Sequence, residues 1–213
     1  MATKIDFVSD VSCPWCALGL QALLAALANL GDTATQLHFQ PFELNPDMVP
    51  QGEDIAEHIA GKYGASPQQF AHSQEMIRER GAALGFRFDM ERRTRIYNTF
   101  DAHRLLHWAG IEGRQLELKQ ALFRAYFGAG ADVADHEVLA QLATEAGLDP
   151  AGAREVLAAD RYAAEVRARE QFYCSQGINA VPAIIINDRH LIEGGQPVAV
   201  FEQVLRKLGA AGA

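Results

Sequence analysis

The residues with the most chemistry in them come early, as Cys13-Pro14-Trp15-Cys16. Two thiols two residues apart can close a disulfide, supply half of a zinc site, or sit inert in a core. Their surroundings favour the first. Lys4–Ser9 carries Ile5, Phe7 and Val8 and reads as a buried strand. Pro14 falls where the first residue of a helix belongs, because its missing N–H has no intrahelical partner there. Leu20, Leu23, Leu24 and Leu27 follow at helical spacing through Trp15–Leu30, and Gly31 ends the run. Cys13 therefore stands at a helix N-terminus, where free N–H groups and the macrodipole favour its thiolate. Thiolate is the attacking species in disulfide exchange. Cys13 is the expected nucleophile, with solvent access. Cys16, one turn on and more buried, is the expected resolving thiol. Zinc would need two further ligands, and the one remaining cysteine, Cys174, stands alone. No metal is expected.

A second element lies far downstream. Val181-Pro182 immediately precedes the Ile184–Ile186 run. An X–Pro bond is where a cis peptide is cheapest, and a cis Pro182 facing the dithiol would leave the Val181 backbone free to pair with an extended substrate. Alone this is weak, since any edge strand can begin with proline. Combined with the dithiol it is strong.

The rest of the chain has to bring these two elements together. Thr35–Leu44 alternates Leu37 and Phe39 before Phe42 as a second strand, closed by Asn45-Pro46. From about Gly52 to Gly177 the pattern is helical. Asp54, Ser66, Asn98, Asp135 and Asp149 are the candidate N-caps. The amphipathic runs are Ile55–Tyr63, Phe70–Leu84, Thr99–Ala109, Leu116–Phe127, Val138–Ala146 and Tyr162–Ser175. Ala183–Asn187, a turn at Asn187-Asp188-Arg189, His190–Ile192 and a helix over about Pro197–Leu208 complete the order. The tail Gly209–Ala213 is low in complexity and reads as a frayed end. Neither strand-bearing end could stand alone, so both must share one sheet. The expected fold is α/β, a discontinuous domain from residues 1–51 and 178–213 with an all-helical insertion at 52–177.

Composition agrees. The 213 residues are 49% apolar, enough for a sizeable core, and 19 Lys+Arg against 27 Asp+Glu leave a net charge of −8. That balance argues against nucleic acid or an anionic membrane as a partner. No apolar run approaches the roughly 20 residues of a membrane span. Met1–Asp6 lacks the hydrophobic stretch of a signal peptide. A cytoplasmic location is expected, where a lone pair of cysteines points to redox chemistry more than to a structural staple.

The sequence resembles the DsbA-like oxidoreductases of the thioredoxin fold, and more closely their FrnE-like branch, over nearly the whole chain. The resemblance rests on Asp10–Cys16, Pro41–Pro46, Asn98–Leu105, Ala180-Val181-Pro182 and Ile192–Pro197. It implies a thioredoxin-like fold with a helical insertion and dithiol–disulfide exchange at Cys13 and Cys16. It also implies a cis Pro182 and a cleft between the two parts. Pro14, Trp15, Asn45, Val181 and Pro182, with Asn98, His103, Gly195 and Gln196, are the candidate substrate-binding residues. Better-known periplasmic members carry Pro-His where this chain has Pro14-Trp15. Reductase, isomerase or glutathione-linked work is therefore more plausible than bulk disulfide donation. The expected partners are thiol or disulfide proteins and glutathione, the latter as a co-substrate, with no bound cofactor. The alternative is a glutathione-dependent isomerase or transferase. The kappa-class transferases and 2-hydroxychromene-2-carboxylate isomerases share the insertion layout but typically place serine where Cys13 stands.

Several other residues invite a role. His103 and His107 have the i, i+4 spacing of a metal pair but no acidic partner in sequence, which favours a structural or cleft-lining part. Arg92, Arg93 and Arg95 read as a solvated basic face. Cys174 reads as a small buried hydrophobe. Gly194-Gly195-Gln196 reads as a tight turn or a carboxylate-holding helix start. Trp15 is expected to be exposed at the cleft mouth.

Overall fold

The computed structural model describes residues 3–211, with side chains described through residue 208. The first strand, β1 (Lys4–Ser9), runs through Pro14–Asn29 (α1) into β2 (Gln36–Pro41). At the other end of the chain, β5 (Ala183–Ile186) and β6 (His190–Glu193) precede α9 (Val198–Ala211). All four strands share one sheet in the order β2-β1-β5-β6. β1 pairs parallel with β2 and antiparallel with β5, placing Phe7 opposite both Phe39 and Ile184. The two ends thus complete each other, as strands too few to fold separately must. α9 continues three residues into the tail read as frayed; the remainder of that tail lies outside the described residues.

Between β2 and β5 lie α2 (Ile55–Tyr63), α3 (Pro67–Ala83), α4 (Phe100–Ile111), α5 (Gln115–Phe123), α6 (His136–Glu145), α7 (Pro150–Ala158) and α8 (Ala163–Ser175). Capping sets most of their starts. Asp54, Ser66, Asp135 and Asp149 each accept backbone N–H groups of the first turn, and Ser66 with Gln69 forms a capping box. Asn98 differs by one residue: Thr99 is the N-cap of α4, while the Asn98 side chain accepts from the Phe100 N–H at 2.9 Å.

The segment expected to be all-helical also holds a short antiparallel pair, β3 (Glu53–Asp54) with β4 (Arg95–Ile96). It escapes notice in sequence because two residues carry no periodicity. Gly52 permits it: its φ is +68°, and a Cβ there would come within 2.4 Å of the Ile96 carbonyl oxygen. The Leu116–Phe127 run likewise divides, with α5 passing into a π-helical turn at Arg124–Gly128. That turn carries Tyr126 and Phe127 fully into the core.

One apolar core joins both parts, since Phe7, Cys16 and Phe39 pack in the same cluster as Phe123, Phe127 and Leu139. Arg104, in the segment Asn98–Leu105, is buried to 1% exposure yet satisfied. It donates to the Val156, Leu157 and Arg161 carbonyl oxygens and to Asp101, locking α4 against the end of α7. Among the described residues no helix is long and apolar enough to cross a membrane.

Candidate active site

β1 ends at Ser9 and delivers Asp10–Cys13 to the start of α1. Cys13 is the N-cap of that helix, with extended φ −86° and ψ 113°, and Pro14 is its first residue. Its carbonyl accepts from the Cys16 and Ala17 N–H groups at 3.1 and 3.3 Å, leaving its sulfur at the positive end of the helix. The Cys13 thiol lies 3.7 Å from the Val181 carbonyl oxygen, to which it donates. The Val181–Pro182 peptide is cis. The β5 entrance therefore covers the first cysteine across 168 residues of sequence. Cys13 is only 3% exposed, less open than its place at a helix end suggests, and Cys16 is fully buried. Both are free thiols. Burial pushes the Cys16 thiol well above its ordinary value, and the adjoining Cys13 adds to this.

Cys13, Pro14 and Trp15 line a cleft of about 670 Å³, walled by Phe42–Asn45, α2, α3 and Asn179–Val181. Ile55, Ile59, Tyr63, Phe70 and Ile77 make much of its surface apolar. At one side Lys62 donates to the Leu44 carbonyl oxygen and to Asn45 Oδ1, which also contacts His58 Nε2 at 3.0 Å. Asn45 is thereby fixed in the cleft wall. Trp15 is half-buried rather than exposed, because the Arg80 guanidinium lies 5.2 Å from its ring centroid and also donates to the Gly195 carbonyl oxygen.

Five of the sequence candidates fall outside this wall, among them Pro182, which is buried beside Val181. Asn98 and His103 belong to α4 and the residues just before it. Gly195 packs against the backbone of Trp15 and Gly19, and Gln196 turns back to donate to the Glu193 carbonyl oxygen. Three further readings need correction. Arg93 is buried, not solvated: its guanidinium lies about 5 Å from the Tyr126 and Phe127 rings and donates to the Ser12 carbonyl oxygen. Arg95 is half-buried and donates to the Gln51 and Gly52 carbonyl oxygens. Cys174 is exposed, because α8 turns Val166, Glu170 and Tyr173 inward and the next residue swings out.

Beneath the dithiol is a set of charged groups that the sequence does not announce. Asp10, 1% exposed, accepts from the Ser12 N–H at 3.1 Å and the Leu44 N–H at 2.7 Å, tying the dithiol loop to the segment after β2. Burial raises the Asp10 carboxyl, but neighbouring His103 and the two N–H groups outweigh this and hold it below its ordinary value. His103 Nε2 stands 3.7 Å from Asp10 Oδ1, close enough for attraction but long for a hydrogen bond. Lys119 is fully buried, and its amine finds no partner among the described residues. Glu43 and Glu170 share one guanidinium, that of Arg167. Asp10 and Glu43 belong to family-like segments, so position could have flagged them. Lys119 had only the faint signal of a lysine beside Leu118 and Leu122 on an apolar face.

Residues 4–206 match the model of the DSBA-like thioredoxin domain. The chain belongs to that family. Its fold is the expected thioredoxin-like α/β fold with a helical insertion, and the family is one of oxidoreductases. The chain is similar to a structure described as a probable DsbA oxidoreductase from Streptomyces coelicolor, at 33% identity and a TM-score of 0.89, covering 96% of this chain and 89% of that one. It is similar in fold to a 2-hydroxychromene-2-carboxylate isomerase, at 15% identity and TM-score 0.74, with 98% of this chain and 97% of that chain covered. It is also similar in fold to the cytosolic disulfide reductase DsbM from Pseudomonas aeruginosa with GSH, at 18% identity and TM-score 0.65, covering 96% and 98% of the two chains.

Proposed function

We propose that this member of the family exchanges its Cys13–Cys16 dithiol with disulfides of extended peptides or of glutathione held in the cleft. The Cys13 thiolate attacks a substrate sulfur, forming a mixed disulfide and releasing the first substrate thiolate. Cys16 then attacks Cys13, closing the protein disulfide and releasing the second. The observation that carries this reading is a reduced thiol at a helix N-terminus on the wall of a large cleft, with its partner thiol buried one turn behind it. The apolar wall suits peptide side chains, and the Val181 backbone beside Cys13 suits an added strand. Glutathione enters because a similar fold, DsbM, holds it. An isomerase or transferase that only activates glutathione has no task for Cys16.

Mass spectrometry of two variants, recovered under non-reducing conditions after exposure to oxidised glutathione, tests the assignment. Cys16→Ser should accumulate an adduct on Cys13, and Cys13→Ser should lose exchange altogether. Adducts on Cys16 of Cys13→Ser, with none on Cys13 of the other variant, would reverse the roles. Full turnover of a chromene-like carbon substrate by Cys16→Ser with glutathione would replace disulfide exchange by isomerisation.

A further inference from the structure

β2 is an edge of the four-stranded sheet, and the insertion covers its open side with a side chain in place of a further strand. Gln115, the first residue of α5, accepts from the Phe39 N–H at 2.9 Å. It donates to the Phe39 and Leu106 carbonyl oxygens at 3.0 and 3.2 Å. Beside this contact, β2, α4, α5 and α8 enclose a second cavity of about 240 Å³. It shares no lining residue with the dithiol cleft.

The charge of this lining is opposite to that of the chain. Acidic residues outnumber Lys and Arg by 27 to 19 overall. Yet His38, His103, His107, Lys119 and Arg169 all line the cavity, and among the described residues no carboxylate does. The five are graded in depth. Lys119 and His103 are buried, His107 is half-buried, and His38 and Arg169 are exposed. Lys119 Nζ has no hydrogen-bond partner among the described residues; it lies 4.8 Å from the Phe123 ring centroid and 5.9 Å from that of Phe39. Burial brings this amine down to about 8, which still leaves it mainly charged at neutral pH. Ring faces compensate such a charge only in part. Two acids act from outside the lining. Asp10 stands 3.7 Å from His103 Nε2, but its oxygens already accept from the Ser12 and Leu44 N–H groups. Glu165 of α8 acts on His107.

We propose that this cavity binds a small divalent oxyanion, phosphate or a short dicarboxylate, with Lys119 at its floor and His107 and Arg169 at its mouth. The oxygens of such an anion accept charge-assisted hydrogen bonds from the ammonium and the guanidinium, and the guanidinium fork matches the paired oxygens of phosphate and carboxylate alike. The volume of about 240 Å³ lies below the roughly 300–1,000 Å³ of pockets that take drug-sized ligands, which limits the occupant to a small ion. A monatomic anion meets only one end of a site whose cations run from floor to mouth. Because the two linings are separate, the oxyanion does not compete with a disulfide at Cys13.

The histidines report on the site in the unaltered protein. Their ring signals, followed by NMR at constant pH and ionic strength, are titrated with inorganic phosphate and separately with succinate. The signals of His38, His103 and His107 should move along one saturating curve, with half-saturation at about 1 mM or below. Those of His58, His72, His136 and His190, which do not line the cavity, should stay in place. The tighter of the two anions identifies the ligand as phosphate-like or dicarboxylate. Lys119→Met, which keeps length and apolar packing, should weaken binding about 10-fold or more. Arg169→Gln, at an exposed position, should weaken it about 3-fold or more. No saturable movement with either anion up to about 20 mM would overturn the proposal, since binding that weak gives no built site. Movement confined to His58, which lines the dithiol cleft, would overturn it too by placing the anion there. So would undiminished affinity in Lys119→Met, or in Arg169→Gln should Lys119→Met fail to fold.

Discussion

Asp10 connects the stability of this protein to the shape of its cleft. Its carboxylate accepts one N–H on each oxygen, Ser12 on Oδ1 and Leu44 on Oδ2, with almost no exposure to water. A hydrogen bond to a charged group contributes about 1.5–3 kcal/mol, and removing the acceptor leaves both buried donors unpaired. His103 would also lose the carboxylate that stands 3.7 Å from it. Asp10→Ala should therefore cost about 3–5 kcal/mol, the range for breaking a buried charged network from one side. Asp10→Asn keeps one acceptor oxygen but turns an NH₂ group toward the other N–H, and should cost about 1–3 kcal/mol. Urea unfolding at neutral pH, read from the midpoint with the slope held common, measures both. The sign of the pH dependence is fixed as well. The Asp10 carboxyl is held below its ordinary value in the folded state, so its stabilisation is present above the unfolded value and is lost as pH falls through the folded one. The gap between the wild type and Asp10→Ala should narrow on acidification. A loss under about 1 kcal/mol, or a gap that stays constant into acid, would refute this account of the staple.

Two further outcomes follow from nearby features. Gly195→Ala would put a Cβ 2.8 Å from the Trp15 carbonyl oxygen, a backbone atom that cannot step aside; a loss of about 1–3 kcal/mol in unfolding free energy should result. Glu43 is pushed up to about 7, chiefly by burial, because Arg167 can neutralise only one of the two carboxylates it serves. The folded protein then holds a proton that the unfolded chain releases, so stability should fall as pH rises from about 4.5 to 7. In Glu43→Gln that fall should be absent from the melting temperature measured across this range.

The sequence alone determined the scaffold of the site. Proline at the first helical position, leucines at helical spacing and a glycine stop put Cys13 at the head of α1, and Asp54, Ser66, Asp135 and Asp149 set the starts of four helices. These are local rules, satisfied by neighbours three or four residues away, and so they can be read along the chain. What the tertiary structure decided was the environment of the sulfurs. Val181 covers Cys13 from 168 residues away, Arg93 leaves the solvent for two aromatic rings, and Lys119 lies fully buried near the Phe39 and Phe123 rings. None of these carries a sequence period or a cap. A lysine on an apolar helix face, or an arginine beside two others, looks the same whether it meets water or a core. Only the packing of α4 and α5 against β2, and of the Arg124–Gly128 turn around Arg93, settles which, since burial is a property of what arrives from elsewhere in the chain.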